Sequence, residues 1–282
     1  MARFRFREPS IIPGFRMAFG FTIAYLAIIV LIPIAGLFLK TFELDWATFE
    51  RIVTGPRFLA ALKLSFGASA LAALFNVVIG VVIAWVLVRY RFPGRRLLDA
   101  IIDLPFALPT AVAGISLGWV YSPNGWIGRL FAPDIMISYT PIGVWIALVF
   151  IGLPFVVRTV QPVLEDLDRQ VEEAAATLGA RRFTTIRRVI LPTLLPAILT
   201  GFALAFARAV GEYGSVIFIA GTGTGVTILP VLIVEWLAQR GHNAIALHAA
   251  AAIAAVMLMV SFAILLAINL IQAWSNRRFG RV

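Results

Sequence analysis

An all-α polytopic membrane protein of about six transmembrane helices is the fold class this sequence predicts. Of its 282 residues 61% are apolar and only 13% charged, and the mean hydropathy is +0.96. The apolar residues gather into runs of about twenty, the length a helix needs to cross about 30 Å of hydrocarbon. Arginines flank those runs rather than collecting in one domain, so the net charge of +10 reads as a set of topology signals and not as a nucleic-acid surface.

The first span covers about 17–39. Arg3, Arg5, Arg7 and Arg16 precede it, but the run from Met17 to Leu39 is too long for a signal peptide and lacks a small-residue cleavage site, so it is read as uncleaved. The second span, about 59–88, is alanine-rich with Asn76 at its middle. Asn76 reads as an interhelical hydrogen bond in preference to a pathway residue. The third, about 101–121, is interrupted by Pro105 and Pro109. Each proline removes a backbone donor, and broken backbone at membrane depth survives only inside protein or beside a cavity. Gly114 and Gly118 permit a close helix contact, although that spacing alone is a weak signal. The fourth span, about 141–160, contains Pro154; the fifth is about 193–220 and the sixth about 245–273. Ser215–Ala220 is apolar enough to begin a seventh, but the glycine-rich loop from Gly221 ends any helix there.

With the N-terminus in the cytoplasm, seventeen Lys and Arg fall on the cytoplasmic side and six on the other, with Arg208 left inside a span. That bias places both termini and the segment between spans four and five in the cytoplasm. Trp46, Trp119, Trp126 and Trp236 then lie near outer ends, where interfacial aromatics belong.

Catalytic chemistry finds little material. There is no cysteine; the histidines, His242 and His248, are six apart with no carboxylate cluster, so no metal site is expected. A P-loop needs Gly-Lys, whereas Lys40 and Lys63 each follow leucine. This chain cannot supply its own P-loop.

The segment between spans four and five is the longest charged insert. Leu164, Leu167, Val171, Ala174 and Leu178 recur at helical spacing, opposite Glu165, Asp166, Asp168, Arg169, Glu172 and Glu173. Gly179 stands where a helix would stop. A short basic piece with Arg181, Arg182, Arg187 and Arg188 follows, and Leu191-Pro192 opens the next span. A helix, a sharp turn and a basic helix form a docking knob.

Arg208 lies sixteen residues beyond Pro192, about 24 Å along the fifth span. Its charge costs at least about 2.5–3.5 kcal/mol there, and Glu212 one turn on can neutralise it. A structural ion pair and a gate residue met by an anion both fit.

Glu173-Ala174-Ala175, then three residues, Gly179, nine residues, Val189, one residue and Leu191-Pro192, resembles the EAA loop of ABC-importer permease subunits. Val189 stands where that family has Ile. The resemblance implies a type I, MetI-like permease fold and a coupling helix seated in a cleft of a separate ATPase subunit. Glu172, Glu173, Ala174, Ala175, Gly179, Leu191 and Pro192 are then the coupling residues, with Glu173 and Gly179 fixing the shape. Tyr90 to Arg95, Leu98 to Ala100, Asp103 to Gly114, Pro154 to Glu165 and Gly211 to Gly221 are similar to the sulfate/thiosulfate importer permease of the CysT type, with Tyr213 in place of the commoner Phe. In that frame residues 1–58 are tail, first span and outer loop; 59–273 are the permease core with coupling loop 164–192; 274–282 are a basic tail.

The resemblance also implies partners: two ABC ATPase subunits that use ATP and Mg, a second permease of the CysW type, and a periplasmic sulfate/thiosulfate-binding protein. The chain itself holds no cofactor, binds no nucleic acid, and sits among lipid in the inner membrane. Arg208, Glu212 and the kink of Pro105, Pro109 and Thr110 are the expected pathway or gate residues. A molybdate or tungstate permease is the alternative within transport. A membrane-embedded enzyme would need more polar groups in the spans, and a scaffold would not need the broken third span.

Overall fold

In the computed structural model the described residues are 14–221, 225–239, 241 and 245–279. The basic residues Arg3, Arg5, Arg7, Arg240 and Arg281, the loop positions 222–224 and His242 lie outside them, as do the side chains of the 274–282 tail.

Helix α1 (Phe15–Leu26) joins α2 (Ile32–Phe42) through a π-helical turn at Ala27–Leu31. Pro33 explains the turn: it lacks an N–H and presses on the carbonyl four residues back, and a widened turn relieves both. A short outer helix, α3 (Trp46–Val53), is capped by Asp45, whose Oδ2 accepts the Thr48 N–H at 3.0 Å. Close by, Glu43 accepts from Lys40 at 2.7 Å and lies 2.8 Å from His248 Nε2. The sequence had left His248 isolated; the fold gives it a carboxylate 205 positions away.

Helix α4 (Pro56–Arg89) has 34 residues, so it runs about 51 Å and outreaches the hydrocarbon layer. Ala61, Ala68, Ala72, Ala73, Gly80 and Ala84 form its buried face. Small side chains there let α8 (Pro141–Asp166) approach, and a Cβ on Gly80 would come within 2.8 Å of Val156 Cγ1. The Arg-rich loop after α4 turns at Gly94 with φ 87°, a conformation glycine adopts without strain.

The expected third span is three pieces: α5 (Arg95–Ile102), α6 (Leu104–Ala107) and α7 (Thr110–Val120). Pro105 starts α6, and Pro109, extended at ψ 133°, separates α6 from α7.

The apolar stripe predicted from Leu164 to Leu178 is divided between two helices. The chain leaves α8 at Leu167, and Asp168 Oδ1 accepts the Gln170 N–H at 2.9 Å to begin α9 (Arg169–Thr177). Leu164 is buried, whereas Leu178 is 87% exposed. After Gly179, α10 (Arg182–Thr185) passes through a second π-helical turn, Ile186–Ile190, into α11 (Leu191–Val210). This turn stands before Pro192 as the first stands before Pro33, for the same reason. The basic piece and the membrane span are therefore one unbroken rod, Arg182–Val210.

The fifth span ends at Val210 rather than near residue 220. Glu212 Oε1 accepts the Ser215 N–H at 2.9 Å and its hydroxyl at 3.0 Å, which starts a separate helix, α12 (Gly214–Ala220). Helix α13 (Leu229–Ala238), absent from the sequence reading, follows; its first N–H donates to Ser65 Oγ of α4 at 2.7 Å. Helix α14 (Ala246–Phe279) closes the described chain and packs on α2, α11 and α13.

Among the described residues five stretches are long and apolar enough to cross a membrane: Met17–Phe42, Pro56–Arg89, Pro141–Asp166, Arg182–Val210 and Ala246–Ala273. The core lies where α4, α8 and α11 cross, around Val156, Val160, Leu194 and Phe206. Asn76 sits in that crossing, fully buried, and neither amide atom has a hydrogen-bond partner among the described residues. The expected interhelical hydrogen bond is not made; the amide fills space against Gly152, where a Cβ would lie 2.5 Å from Nδ2.

Candidate functional site

The knob between α8 and α11 is built by local rules. The Gly179 N–H donates to Ala176 O at 2.9 Å and the Ala180 N–H to Ala175 O at 3.0 Å, with Gly179 at φ 78°. These two bonds satisfy the last carbonyls of α9 and reverse the chain. Glu172, Glu173, Ala174 and Ala175 share α9, while Leu191 and Pro192 lie beyond the basic piece at the start of α11. Glu172 and Glu173 diverge. Glu173 is exposed, whereas Glu172 Oε1 lies 2.7 Å from Arg89 Nη2, at the end of α4. The knob also presents apolar side chains to the outside: Leu178 at 87% exposure and Phe183 at 73%. Burying about 25 cal/mol of free energy per Å² of such surface is available to a partner.

The kinked segment is held at both ends. At one, Arg158 of α8 grips it: Nε donates to Asp103 Oδ1 at 2.9 Å, and Nη2 donates to Asp103 Oδ2 at 2.6 Å and to the Asp99 carbonyl at 3.1 Å. Nη1 adds Asp99 Oδ1 and Gln161 Oε1, both at 2.8 Å, so all five donors are used. Pro105 lies beside this grip, and Phe106 packs edge-on to Phe155 at 5.1 Å. At the other end Thr110 faces the turn after α11: Gly214 abuts Thr110 Oγ1 so closely that a Cβ has no room.

That turn carries the other pathway candidates. Arg208 pairs with Glu212 Oε2, and Glu212 also holds Ser215 through Oε1. The Glu212 side chain is 2% exposed and that of Arg208 is 34% exposed. The structure therefore brings Thr110 together with the Glu212–Gly214 turn, while Pro105 belongs to the Arg158 end.

Gly114 and Gly118 join these parts. A Cβ on Gly114 would come within 2.5 Å of Ser215 O, and one on Gly118 within 3.2 Å of Phe218 O. Helices α7 and α12 thus touch backbone to backbone, which is the packing reading of the spacing. The Tyr139 N–H donates to Ile219 O at 2.8 Å and Ser138 Oγ to Gly118 O at 3.1 Å, tying the loop before α8 to the same pair.

Sequence reasoning passed over Arg158 and Arg89 as site residues, treating both as topology charges. For Arg158 a signal existed: an arginine inside an apolar span, eight residues before its end, needs a carboxylate. A surface groove of about 690 Å³ lies elsewhere, beside Leu71, Phe75 and Trp145, and Lys63 is the one charged residue in its lining.

Comparison with known proteins agrees with this architecture. The family described as binding-protein-dependent transport system inner membrane component matches residues 76–281. A Synechococcus elongatus protein named sulfate transport system permease protein CysT is 50% identical, with 92% of each chain covered. The Salmonella typhimurium protein of the same name is 45% identical over 96% of this chain and 95% of its own. Among solved structures, a bacterial ABC transporter importing the acidic polysaccharide alginate superposes with a TM-score of 0.73 at 17% identity, covering 92% of this chain and 96% of that one. The MetNI methionine ABC transporter gives 0.59 at 18% identity, covering 82% and 99%; these two likenesses concern the fold. On the extent of the family match and of the identities, the chain belongs to the binding-protein-dependent transport system inner membrane components.

Proposed function

We propose that this chain is the permease subunit of an ATP-driven importer that carries sulfate, and with it thiosulfate, inward across the inner membrane. The observation that carries the reading is identity of 44–50% to named sulfate permeases along nearly the whole chain. That name favours sulfate over the molybdate or tungstate alternative. Its partners are two ABC ATPase subunits working with ATP and Mg, a second permease of the CysW type, and a periplasmic sulfate/thiosulfate-binding protein. The arginine distribution supports a topology with both termini and the knob in the cytoplasm.

The geometry supports a mechanical role. Glu173 on α9, Leu178 just past its end and Phe183 on α10, all exposed, make the surface an ATPase cleft would receive. Because α10 continues unbroken through Pro192 into α11, displacement of the knob is delivered along a 29-residue rod. Near the far end of that rod is Arg208, whose partner Glu212 starts α12 against α7. ATP-driven closure below would thus tilt α11 and shift the α7–α12 pair above, where Thr110 abuts Gly214, in an alternating-access cycle. Arg208 and the Pro105–Pro109 kink act as gate parts in that cycle.

The test is reconstitution of the chain with its paired permease and ATPase in liposomes, with the binding protein outside. ATP-dependent uptake of labelled sulfate, competed by thiosulfate and not by molybdate, is the expected result. Uptake of molybdate in preference to sulfate overturns the cargo, and failure of any ATPase to co-purify overturns the whole reading.

A further inference from the structure

Two of the three helices at the core are covalently continuous with the knob: α8 leads into it and α11 leads out. The third, α4, is not. Yet α4 carries the small-residue face on which α8 packs, so a knob that moved only α8 and α11 would shear them across α4. Something must join α9 to α4.

We infer that Arg89 is that joint: a positioning residue that locks the coupling helix to the foot of α4, with Glu172 as its partner. Arg89 is the last residue of α4, and its side chain is only 9% exposed. A cation so buried is held where its partners are. Its Nη2 lies 2.7 Å from Glu172 Oε1 in the first turn of α9, a charge contact outside hydrogen-bond alignment, and donates to Leu167 O at 3.2 Å, in the joint between α8 and α9. The guanidinium stands 5.6 Å from the Trp85 ring centroid, one turn back on α4. One side chain therefore fixes both the hinge and the helix that leaves it.

Among the described side chains no other ion pair ties α9 to a membrane span. Helix α9 is otherwise flanked by the Leu167–Asp168 break and the Gly179 turn, the two places where it can swing. Behind it lies a cavity of about 520 Å³ lined by Trp85, Tyr90, Glu172, Arg182 and Thr185, which leaves room for that swing. Neighbours on one helix, Glu172 and Glu173 point about 100° apart, so one can hold the knob to the body while the other is left for a partner.

This inference rests on the transport reading, and its test separates the two. The full complex is reconstituted with wild-type chain, Arg89→Gln, Arg89→Lys, Glu172→Gln and the exchange Arg89→Glu/Glu172→Arg. Sulfate taken up per ATP hydrolysed and amide hydrogen exchange in α9 are both measured. In Arg89→Gln, ATP hydrolysis and ATPase co-purification are retained, while uptake per ATP falls at least about fivefold and α9 exchanges at least about tenfold faster with α11 unchanged. Glu172→Gln shows the same loss of uptake per ATP, Arg89→Lys a smaller one, and the exchange recovers at least about half of wild type. Should Arg89→Gln not assemble, Glu172→Gln and the exchange carry the decision alone. Uptake per ATP within about twofold of wild type in the neutral variants, or an exchange variant no better than either single one, overturns the joint. If the wild-type complex moves no sulfate, the transport reading has failed, and unaltered α9 exchange in Arg89→Gln and Glu172→Gln is then what overturns the joint.

Discussion

The α7–α12 pair and the α9–α10 knob are both short helices at breaks in long ones, and they are held in opposite ways. In the first, glycines bring backbone against backbone, with Gly114 on Ser215 and Gly118 on Phe218. In the second, the glycine faces open space: nothing lies within 4 Å of where a Cβ on Gly179 would be, and Leu178 and Phe183 project outward. Glycine serves close approach at one end and a left-handed turn at the other. The contrast teaches which region is a finished contact and which is half of one. A finished contact resists substitution through the stability of the chain itself; a half contact resists it through whatever docks there.

The sharpest way to break that distinction is Gly114→Leu. A side chain aimed at the Ser215 carbonyl must displace α12, at a cost of roughly 3 kcal/mol or more. The variant should lose its folded, monodisperse form in detergent; recovery of normal protein with normal thermal stability would show that α7 and α12 are not tightly joined. Next in size is Glu212→Ala, which strips Arg208 and Ser215 of their partner at about 2–3 kcal/mol, read from the shift of the denaturant midpoint. Glu212→Gln should cost less, since it keeps an acceptor for Ser215.

At the knob the effects on stability shrink and those on partnership grow. Gly179→Ala places a Cβ in a left-handed conformation, costing about 1–2 kcal/mol locally. Thermal stability of the isolated chain should barely change, while ATPase co-purification should drop; a large global loss would mean the knob is part of the core. Leu178→Asp sharpens the point further, with no measurable loss of stability, because the residue is 87% exposed, and with docking abolished.

The smallest effect calibrates the scale at the surface. Hydrogen bonds from Thr48, side chain first and then backbone, hold the Asp45 carboxyl below its ordinary value of 3.8. A carboxyl with a lowered pKa in the folded state stabilises fully above its unfolded value, and that stability is lost as pH falls through the lowered one. A slight acid destabilisation below about pH 4 should therefore vanish in Asp45→Asn, which keeps the cap without the titration. A pH profile unchanged in that variant would remove Asp45 as its source.

Much of this was legible in the chain because it is local. The Arg208–Glu212 pair is one helical turn, the Gly179 stop is a single conformational preference, and apolar runs report their own length. Where sequence reading erred, a local competitor had been missed. Asp168 caps α9 and so divides the stripe from Leu164 to Leu178; Glu212 caps α12 and so ends the fifth span at Val210. Asn76 failed differently, since what it meets is Gly152 of α8, which brings no side chain to bond its amide.

By itself, then, the sequence determined the long spans, the breaks at its prolines and Gly179, and the charged knob between two spans, because each follows from hydropathy or from one residue's backbone preference. Only the tertiary structure decided that Arg158 reaches back 55 residues to Asp103, that Arg89 meets Glu172, and that Gly114 lies on Ser215. Those pairings depend on which helices cross and at what depth, and no periodicity along one chain encodes that.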